Sequence, residues 1–113
     1  MNEFIFLYRG AQRPGSPEEM QRMTQKWVDW ISGLAQHGNL KDRGQPLEPD
    51  GKVVAGASRT VTDGPYAETK DVVGGYTLVL ARDLDHAAEL SQGCPAFEIG
   101  GSVEIRPVRA MTM

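Results

Sequence analysis

The apolar residues of this chain follow two periods, one typical of strands and one typical of helices. Residues 3–9 and 75–81 are rich in aromatic and branched side chains, which favour extended structure. In both segments, apolar side chains are expected on both faces of the strand. Residues 102–108 instead alternate apolar and polar side chains. We therefore predict a first strand, a central strand and a closing strand.

Residues 17–37 carry apolar side chains at helical spacing and predict one long amphipathic helix. Ser16 is the expected N-cap, Pro17 takes the first helical position, and Glu19 completes a Ser-x-x-Glu capping box. Gly38 is the expected left-handed terminator. The apolar stripe is interpreted as facing the core, and its members are Met20, Met23, Trp27, Trp30, Ile31 and Leu34.

Two weaker strands are predicted between this helix and the central strand. Residues 40–47 are more polar, Asp50-Gly51 is typical of a hairpin turn, and residues 52–61 return as the second strand. We expect this pair to lie at a sheet edge or to project as an arm.

The order of elements is strand, helix, two hairpin strands, strand, helix and strand, with Asp83 as the expected cap of the second helix. This order predicts an α+β fold, a ferredoxin-like βαββαβ antiparallel sheet with two helices on one face. Because residues 3–9 and 75–81 are apolar on both faces, the face without helices also needs a cover. A second copy of the sheet is the simplest cover, so we expect a homodimer, a dimeric α/β-barrel with a cavity between the sheets.

Composition and charge narrow the class of protein. The 113 residues suit a single domain, and the net charge is −3, from 15 acidic and 12 basic side chains. Because lysine and arginine are not clustered, we expect no binding to nucleic acid. The apolar run at residues 4–8 is too short for a membrane span and lacks the flanks of a secretory signal. A single cysteine, Cys94, suits a reducing compartment, so we expect a cytoplasmic protein without a membrane partner.

One stretch concentrates reactive side chains, Thr-Asp-Gly-Pro-Tyr-Ala-Glu-Thr-Lys at residues 62–70, followed by Gly74-Gly75-Tyr76. Gly64 and Pro65 predict a turn of defined shape, because glycine permits positive φ and proline restricts φ. A polar loop of defined shape beside an apolar strand is a common place for a binding site. We therefore predict a small-molecule cavity under residues 63–70.

Asp63 and Tyr66 are the candidate catalytic residues of this loop. Asp63 either caps the turn at Gly64 and Pro65 or acts as a general base or substrate anchor, and the two roles are compatible. Tyr66 is either a packing residue or a hydrogen-bond donor to a ligand.

Four further residues are candidates for substrate binding. Arg59 and Lys70 would supply positive charge for an anionic substrate, although Lys70 and Glu68 would also form an ordinary solvated pair. Tyr76 begins the central strand and either lines the cavity or packs in the core.

The other reactive side chains predict neither a metal site nor a cofactor site. His37 is interpreted as an exposed residue at the helix end, and His86 with Glu89 has no further ligand at suitable spacing. Cys94 has no histidine partner that the sequence places beside it, so it is interpreted as structural. The sequence contains no phosphate-binding loop and no dinucleotide fingerprint.

The signature at residues 62–76 resembles the DGPF subgroup of the YCII-related family. Cys94-Pro95-Ala96, the ending at residues 101–108 and the Ser-Pro-Glu-Glu start of the first helix are also similar to that family. Tyr66 stands where the name of the subgroup implies phenylalanine. The resemblance covers essentially the whole chain.

The resemblance implies a dimeric α/β-barrel of ferredoxin-like subunits with a pocket in each subunit. Members of the family are often described as enzymes, with reactions largely unassigned, and some members of the subgroup are encoded beside extracytoplasmic-function sigma factors. The broader family's proposed His–Asp pair places a histidine in the first helix. Here the comparable region reads Lys26-Trp27-Val28-Asp29-Trp30, so the pair is not carried over.

Two functional hypotheses follow. The first is a binding protein or cofactor-independent enzyme that holds a small anionic or carbonyl-bearing molecule under residues 63–70, with Asp63 as the ionisable group and Tyr66 as the donor. The second is a non-catalytic ligand sensor or protein-interaction accessory, linked by the resemblance to a sigma factor.

Overall fold

The computed structural model describes residues 1–12, 14–64 and 69–111. Within these ranges, one antiparallel sheet consists of β1 (Asn2–Arg9), β2 (Leu40–Asp42), β5 (Val73–Ala81) and β6 (Ser102–Pro107). A separate two-stranded sheet consists of β3 (Gly51–Ala55) and β4 (Thr60–Gly64). The helices are α1 (Pro17–Gln36) and α2 (Leu84–Ser91), and short 3-10 turns cover Thr69–Asp71 and Pro95–Ile99.

The strands of the large sheet lie in the order β2-β5-β1-β6. Apart from the inserted β3–β4 pair, this is the ferredoxin-like arrangement, in which the crossovers place both helices on one face. Burial agrees with this arrangement, since Phe4, Phe6 and Tyr8 of β1 are buried while their neighbours along the strand are only partly buried. The predicted α+β fold is confirmed.

Local sequence signals determine where α1 begins and ends. Glu19 N donates to Ser16 Oγ at 3.2 Å, as predicted for an N-cap. The Glu19 carboxylate accepts from Gly15 N at 3.1 Å, one residue before the position that a capping box predicts. Gly38 adopts φ 76° directly after the last turn and ends the helix as predicted.

The second helix, α2, begins as predicted. His86 N donates to Asp83 Oδ1 at 2.8 Å, so the Asp83 side chain caps the first turn. Within the described ranges, no helix combines the length and the apolar character needed to cross a membrane.

The core lies between the helices and the sheet and is rich in aromatic rings. Phe6 is fully buried and stacks on Trp30, with ring centroids 6.1 Å apart. Tyr8 meets Trp27 edge to face at 4.8 Å. Leu34 is buried beside them, and Ile31 packs against the same core, so residues 27–34 of the stripe face the core as predicted. The prediction is wrong for Met20, which is 46% exposed in the first turn of the helix.

The predicted strand at residues 40–47 is shorter in the structure, because β2 ends at Asp42. Gly44 N donates to Asp42 Oδ1 at 2.8 Å, and Gly44 adopts φ 71°. After this bend, Pro46 forms only an isolated bridge with Gly75. The chain then leaves the sheet.

Residues 51–64, here called the arm, differ from the predicted hairpin. The predicted turn at Asp50-Gly51 is wrong, because Gly51 begins β3 and the chain turns at residues 56–59. There Arg59 N donates to the Gly56 carbonyl at 3.0 Å, and both residues adopt positive φ. The predicted strand at residues 52–61 is therefore two strands, which pair with each other rather than with the large sheet.

Candidate functional site

The face of the large sheet opposite the helices, here called the open face, has an apolar centre. It is formed by Ile5 and Leu7 of β1 with Tyr76, Leu78 and Leu80 of β5, all of them only partly buried. Ile5 pairs with Leu78, and Leu7 pairs with Tyr76, so these side chains lie next to one another. A contiguous apolar patch of this kind typically marks a binding surface.

Charged side chains frame this apolar centre. At one end, Arg9 Nη2 lies 2.8 Å from Glu104 Oε1, and Arg9 also donates to the Asp71 carbonyl. At the other end, Lys41 Nζ lies 3.3 Å from Glu3 Oε1. The open face therefore combines an apolar centre with a charged rim, which is the usual anatomy of a binding interface.

Two of the predicted binding residues, Tyr76 and Lys70, lie at the same end of the sheet. Tyr76 is part of the open face beside Leu7 and is half-buried, so it does not belong to the helix-side core. Lys70 lies in the 3-10 turn that passes β1, where its backbone closely approaches Gly10. The structure therefore brings these two residues to the neighbourhood of Arg9.

Asp63 and Arg59 lie on the arm and are not brought together. Asp63 of β4 pairs with Lys52 of β3, and its Oδ1 lies 2.9 Å from Lys52 Nζ. The Asp63 side chain is 92% exposed. The turn at Pro65 that it was predicted to cap lies outside the described residues, so that role stays a prediction. Arg59 lies in the turn at the tip of the arm, and its side chain is exposed.

Tyr66 and Glu68 lie outside the described residues, so their roles stay predictions. Within the described ranges, no three His, Cys, Asp or Glu side chains are grouped closely enough to hold a metal ion. His37 is exposed at the end of α1, with Nδ1 2.7 Å from the Gly33 carbonyl. Cys94 is buried, and its Sγ accepts from Ala96 N at 3.5 Å.

A buried hydrogen-bond network lies on the helix-facing side of the sheet, and the sequence analysis did not predict it. Tyr8 donates its hydroxyl hydrogen to Thr77 Oγ1 at 2.7 Å, and Thr77 in turn donates to the Arg43 carbonyl at 3.0 Å. Burial raises the pKa of Tyr8 well above its ordinary value, although the bond to Thr77 lowers it and nearby Cys94 raises it further. The sequence did contain a signal for this network, because Tyr8 and Thr77 place hydroxyl groups at core-facing positions of two otherwise apolar strands.

The stability of the protein is expected to fall in alkaline solution. Burial raises the pKa of the Cys94 thiol from 9.0 to about 11, against the lowering effect of the Ala96 N–H. Because the folded chain holds this proton more tightly than the unfolded chain, its stabilising effect is complete below pH 9.0 and is lost between pH 9.0 and about 11. Tyr8 acts in the same direction at higher pH.

Urea unfolding at a series of pH values measures this effect. A group that is protonated only in the folded state contributes a slope of about −1.4 kcal/mol per pH unit. The Cys94→Ala variant should show a shallower decline of the unfolding free energy in the range where the thiol ionises. An equally steep decline in that variant would contradict the assignment to Cys94.

The chain resembles known proteins both in sequence and in structure. The YCII-related domain family matches residues 5–112. Among solved structures, the chain is similar to 5-chloro-2-hydroxyhydroquinone dehydrochlorinase (TftG) from Burkholderia phenoliruptrix AC1100, in complex with 2,5-dihydroxybenzoquinone. That similarity has a TM-score of 0.47 and 16% sequence identity, and it covers 95% of this chain and 93% of that chain. No curated protein matches the chain.

Proposed function

This chain belongs to the YCII-related domain family, and we propose that it forms a homodimer that binds a small molecule between the open faces of its two subunits. We also place it in the DGPF subgroup, on the signature at residues 62–70. In this proposal each subunit is one domain in the cytoplasm, and the chemistry rests on side chains rather than on a cofactor.

The apolar centre of the open face is the observation that supports this proposal. Leu7 and Leu78 lie on the two central strands, yet both remain only partly buried in a single chain. Covering apolar surface stabilises an assembly by about 25 cal/mol per Å². A second copy carries the same patch, so two open faces related by a two-fold axis would cover each other. Stacked sheets lie about 10 Å apart, and a cavity remains wherever side chains do not fill that gap.

The rim of the open face indicates the class of ligand. Tyr76 places a phenol beside the apolar centre, and Arg9 and Lys70 lie at the same end of the sheet. An apolar floor with a few convergent polar groups is the usual composition of a small-molecule pocket. We therefore propose a small molecule with an apolar body and a carbonyl or anionic oxygen, and Arg59 and Glu68 remain further candidates for its binding.

We assign the ionisable group of the site to Asp63, with Tyr66 as the hydrogen-bond donor. Val54 pairs with Val61, and Lys52 pairs with Asp63 two residues further from the tip of the arm. Because side chains two residues apart point to the same side of a strand, both pairs share one face of the arm. These valines are 61% and 57% exposed. A partner surface that covers the valines would also enclose the Asp63 carboxylate, which shares their face of the arm. We therefore propose that each arm closes over the cavity.

The Asp63→Asn variant is expected to lose ligand binding or turnover by at least about tenfold, because a charge-assisted bond is removed. Its melting temperature should change little, since an exposed ion pair contributes about 0–1 kcal/mol. A thermal-shift screen of small metabolites against the wild-type protein, repeated on the variant, measures the loss, because a ligand stabilises the folded state that binds it.

The Lys52→Gln variant is the matched control for this experiment. It breaks the same ion pair but keeps the Asp63 carboxylate, so ligand binding should be retained. Intact binding in Asp63→Asn, together with a large loss of stability, would assign a purely structural role to the carboxylate.

A second candidate function is a non-catalytic sensor or interaction accessory, and the exposed valine pair of the arm favours it. Val54 and Val61 form an apolar strip on a projecting hairpin, which suits contact with another protein. In this case a Val54→Ser, Val61→Ser double variant would lose co-purification with a sigma factor and keep its oligomeric state. Retained co-purification would contradict this role.

A further inference from the structure

A hollow on the helix side of the protein lies on the opposite side of the sheet from the open face, and we infer that it binds a small primary amine. This hollow, here called the helix groove, has a volume of about 320 Å³. Small-molecule sites typically span about 300–1,000 Å³. Residues from α1, from the segment after it and from α2 line the groove, among them Asp29, Trp30, Gly33, Leu34, Asn39 and Leu90.

Asn39 supplies a hydrogen-bond acceptor to the groove. The residue is only 7% exposed, and its Nδ2 donates to the Leu80 carbonyl at 2.8 Å. This bond identifies the donor end of the amide, so the acceptor is Oδ1. Oδ1 accepts no hydrogen bond from the described residues. Because Asn39 lines the groove, this oxygen is the acceptor that the residue offers to a ligand there.

The charge of the groove also favours a cation. Asp29 Oδ1 accepts from Gln25 Nε2 at 2.8 Å, which leaves the second carboxylate oxygen for a ligand. The groove lies along the last turns of α1, whose carbonyls form the negative end of the helix dipole. In the described part of the chain no lysine or arginine lines the groove, and the histidine that does, His37, directs Nδ1 to the Gly33 carbonyl. A carboxylate, an amide oxygen and a helix C-terminus together match an ammonium group.

The apolar wall and Gly33 indicate the body of the ligand. Trp30 and Leu90 are partly buried and Leu34 is buried, so the wall between the polar groups is apolar. Gly33 lies within α1, although glycine weakens a helix relative to alanine. A Cβ at this position would meet nothing within 4 Å, so packing within the chain does not require the glycine. Its missing side chain leaves room for a compact apolar group beside Trp30.

Phenethylamine is a suitable probe, because it joins a primary ammonium to one aromatic ring. Titration at pH 8 should quench tryptophan fluorescence through Trp30, which lines the groove. We expect a Kd of about 1 mM, which suits a ligand of this size in a shallow site. The neutral analogue 2-phenylethanol should bind at least about tenfold more weakly, because it lacks the charge that Asp29 and the helix end attract.

Three variants test the assignment. Asp29→Asn should weaken phenethylamine binding about tenfold, whereas Gln25→Met keeps the carboxylate and should bind as the wild type does. Gly33→Ala should raise the melting temperature and weaken binding, because the new methyl group enters the groove. Equal affinity for the amine and the alcohol would overturn the inference. Unchanged binding in Asp29→Asn, or no saturable binding at ten times the expected Kd, would overturn it as well.

Discussion

A Gly44→Ala variant is expected to lose about 3–5 kcal/mol of its free energy of unfolding, which is a large part of the stability of a small domain. Gly44 is buried and adopts φ 71°, a conformation that L side chains rarely take. A Cβ there would overlap the Tyr76 carbonyl oxygen and lie 2.6 Å from its carbonyl carbon. Urea unfolding followed by circular dichroism measures the loss.

The destabilisation should be large because the obstacle is backbone. Tyr76 belongs to β5, a central strand that pairs with β1 and β2 on its two sides. Moving its carbonyl away from residue 44 would disturb both ladders, whereas a flexible side chain would simply turn aside. The same clash would shift Tyr76 on the open face, so ligand binding should be lost together with stability.

Gly38→Ala is the matched control, because Gly38 has nearly the same backbone conformation without the crowding. Its φ is 76°, and a Cβ there would meet nothing within 4 Å. Only the conformational cost of about 1–2 kcal/mol applies at this position. If the two variants proved equally stable, close approach between Gly44 and β5 would not be the cause of the effect.

A Leu78→Asp variant is expected to convert the proposed dimer into a monomer. Leu78 lies in the apolar centre of the open face and pairs with Ile5. In a dimer the substitution would bury one unpaired carboxylate from each subunit, and each costs several kcal/mol. Even a loss of about 4 kcal/mol, less than the sum of two such costs, corresponds to roughly a thousandfold weaker association. Size-exclusion chromatography with light scattering at micromolar concentration measures the change.

Val28→Asp is the control for this experiment. Val28 is 52% exposed on α1, on the helix side of the sheet, so the same charge there should leave a dimer intact. Circular dichroism should show both variants folded. A wild-type protein that is monomeric at this concentration, or a Leu78→Asp variant that remains dimeric, would end the proposal that the open faces pair.

The sequence predicted the order and type of the main elements because their signals are local. Ser16, Gly38 and Asp83 act within a single helical turn, and all three cap or end helices in the structure. The two-faced apolar character of β1 and β5 was also readable, since side chains alternate along a strand. The expectation of an uncovered sheet face came from that alternation.

The arm was predicted less well, for a different reason. Asp50-Gly51 and Gly56 are both reasonable turn positions, and only the pairing of Lys52 with Asp63 and of Val54 with Val61 selects the second. That choice also decides the surroundings of Asp63. A loop residue expected beside a cavity is instead a strand residue with an exposed carboxylate and a lysine partner.

By itself, the sequence determined the helices, the two apolar faces of the central strands and the ferredoxin-like order, because these follow from neighbours within a few residues. Only the tertiary structure decided that Gly44 must fit against Tyr76 and that Tyr8 bonds Thr77. It likewise decided that Asn39 lines a groove beside Asp29. These relations join residues far apart in the chain, and no periodicity or local signal encodes which distant atoms packing brings into contact.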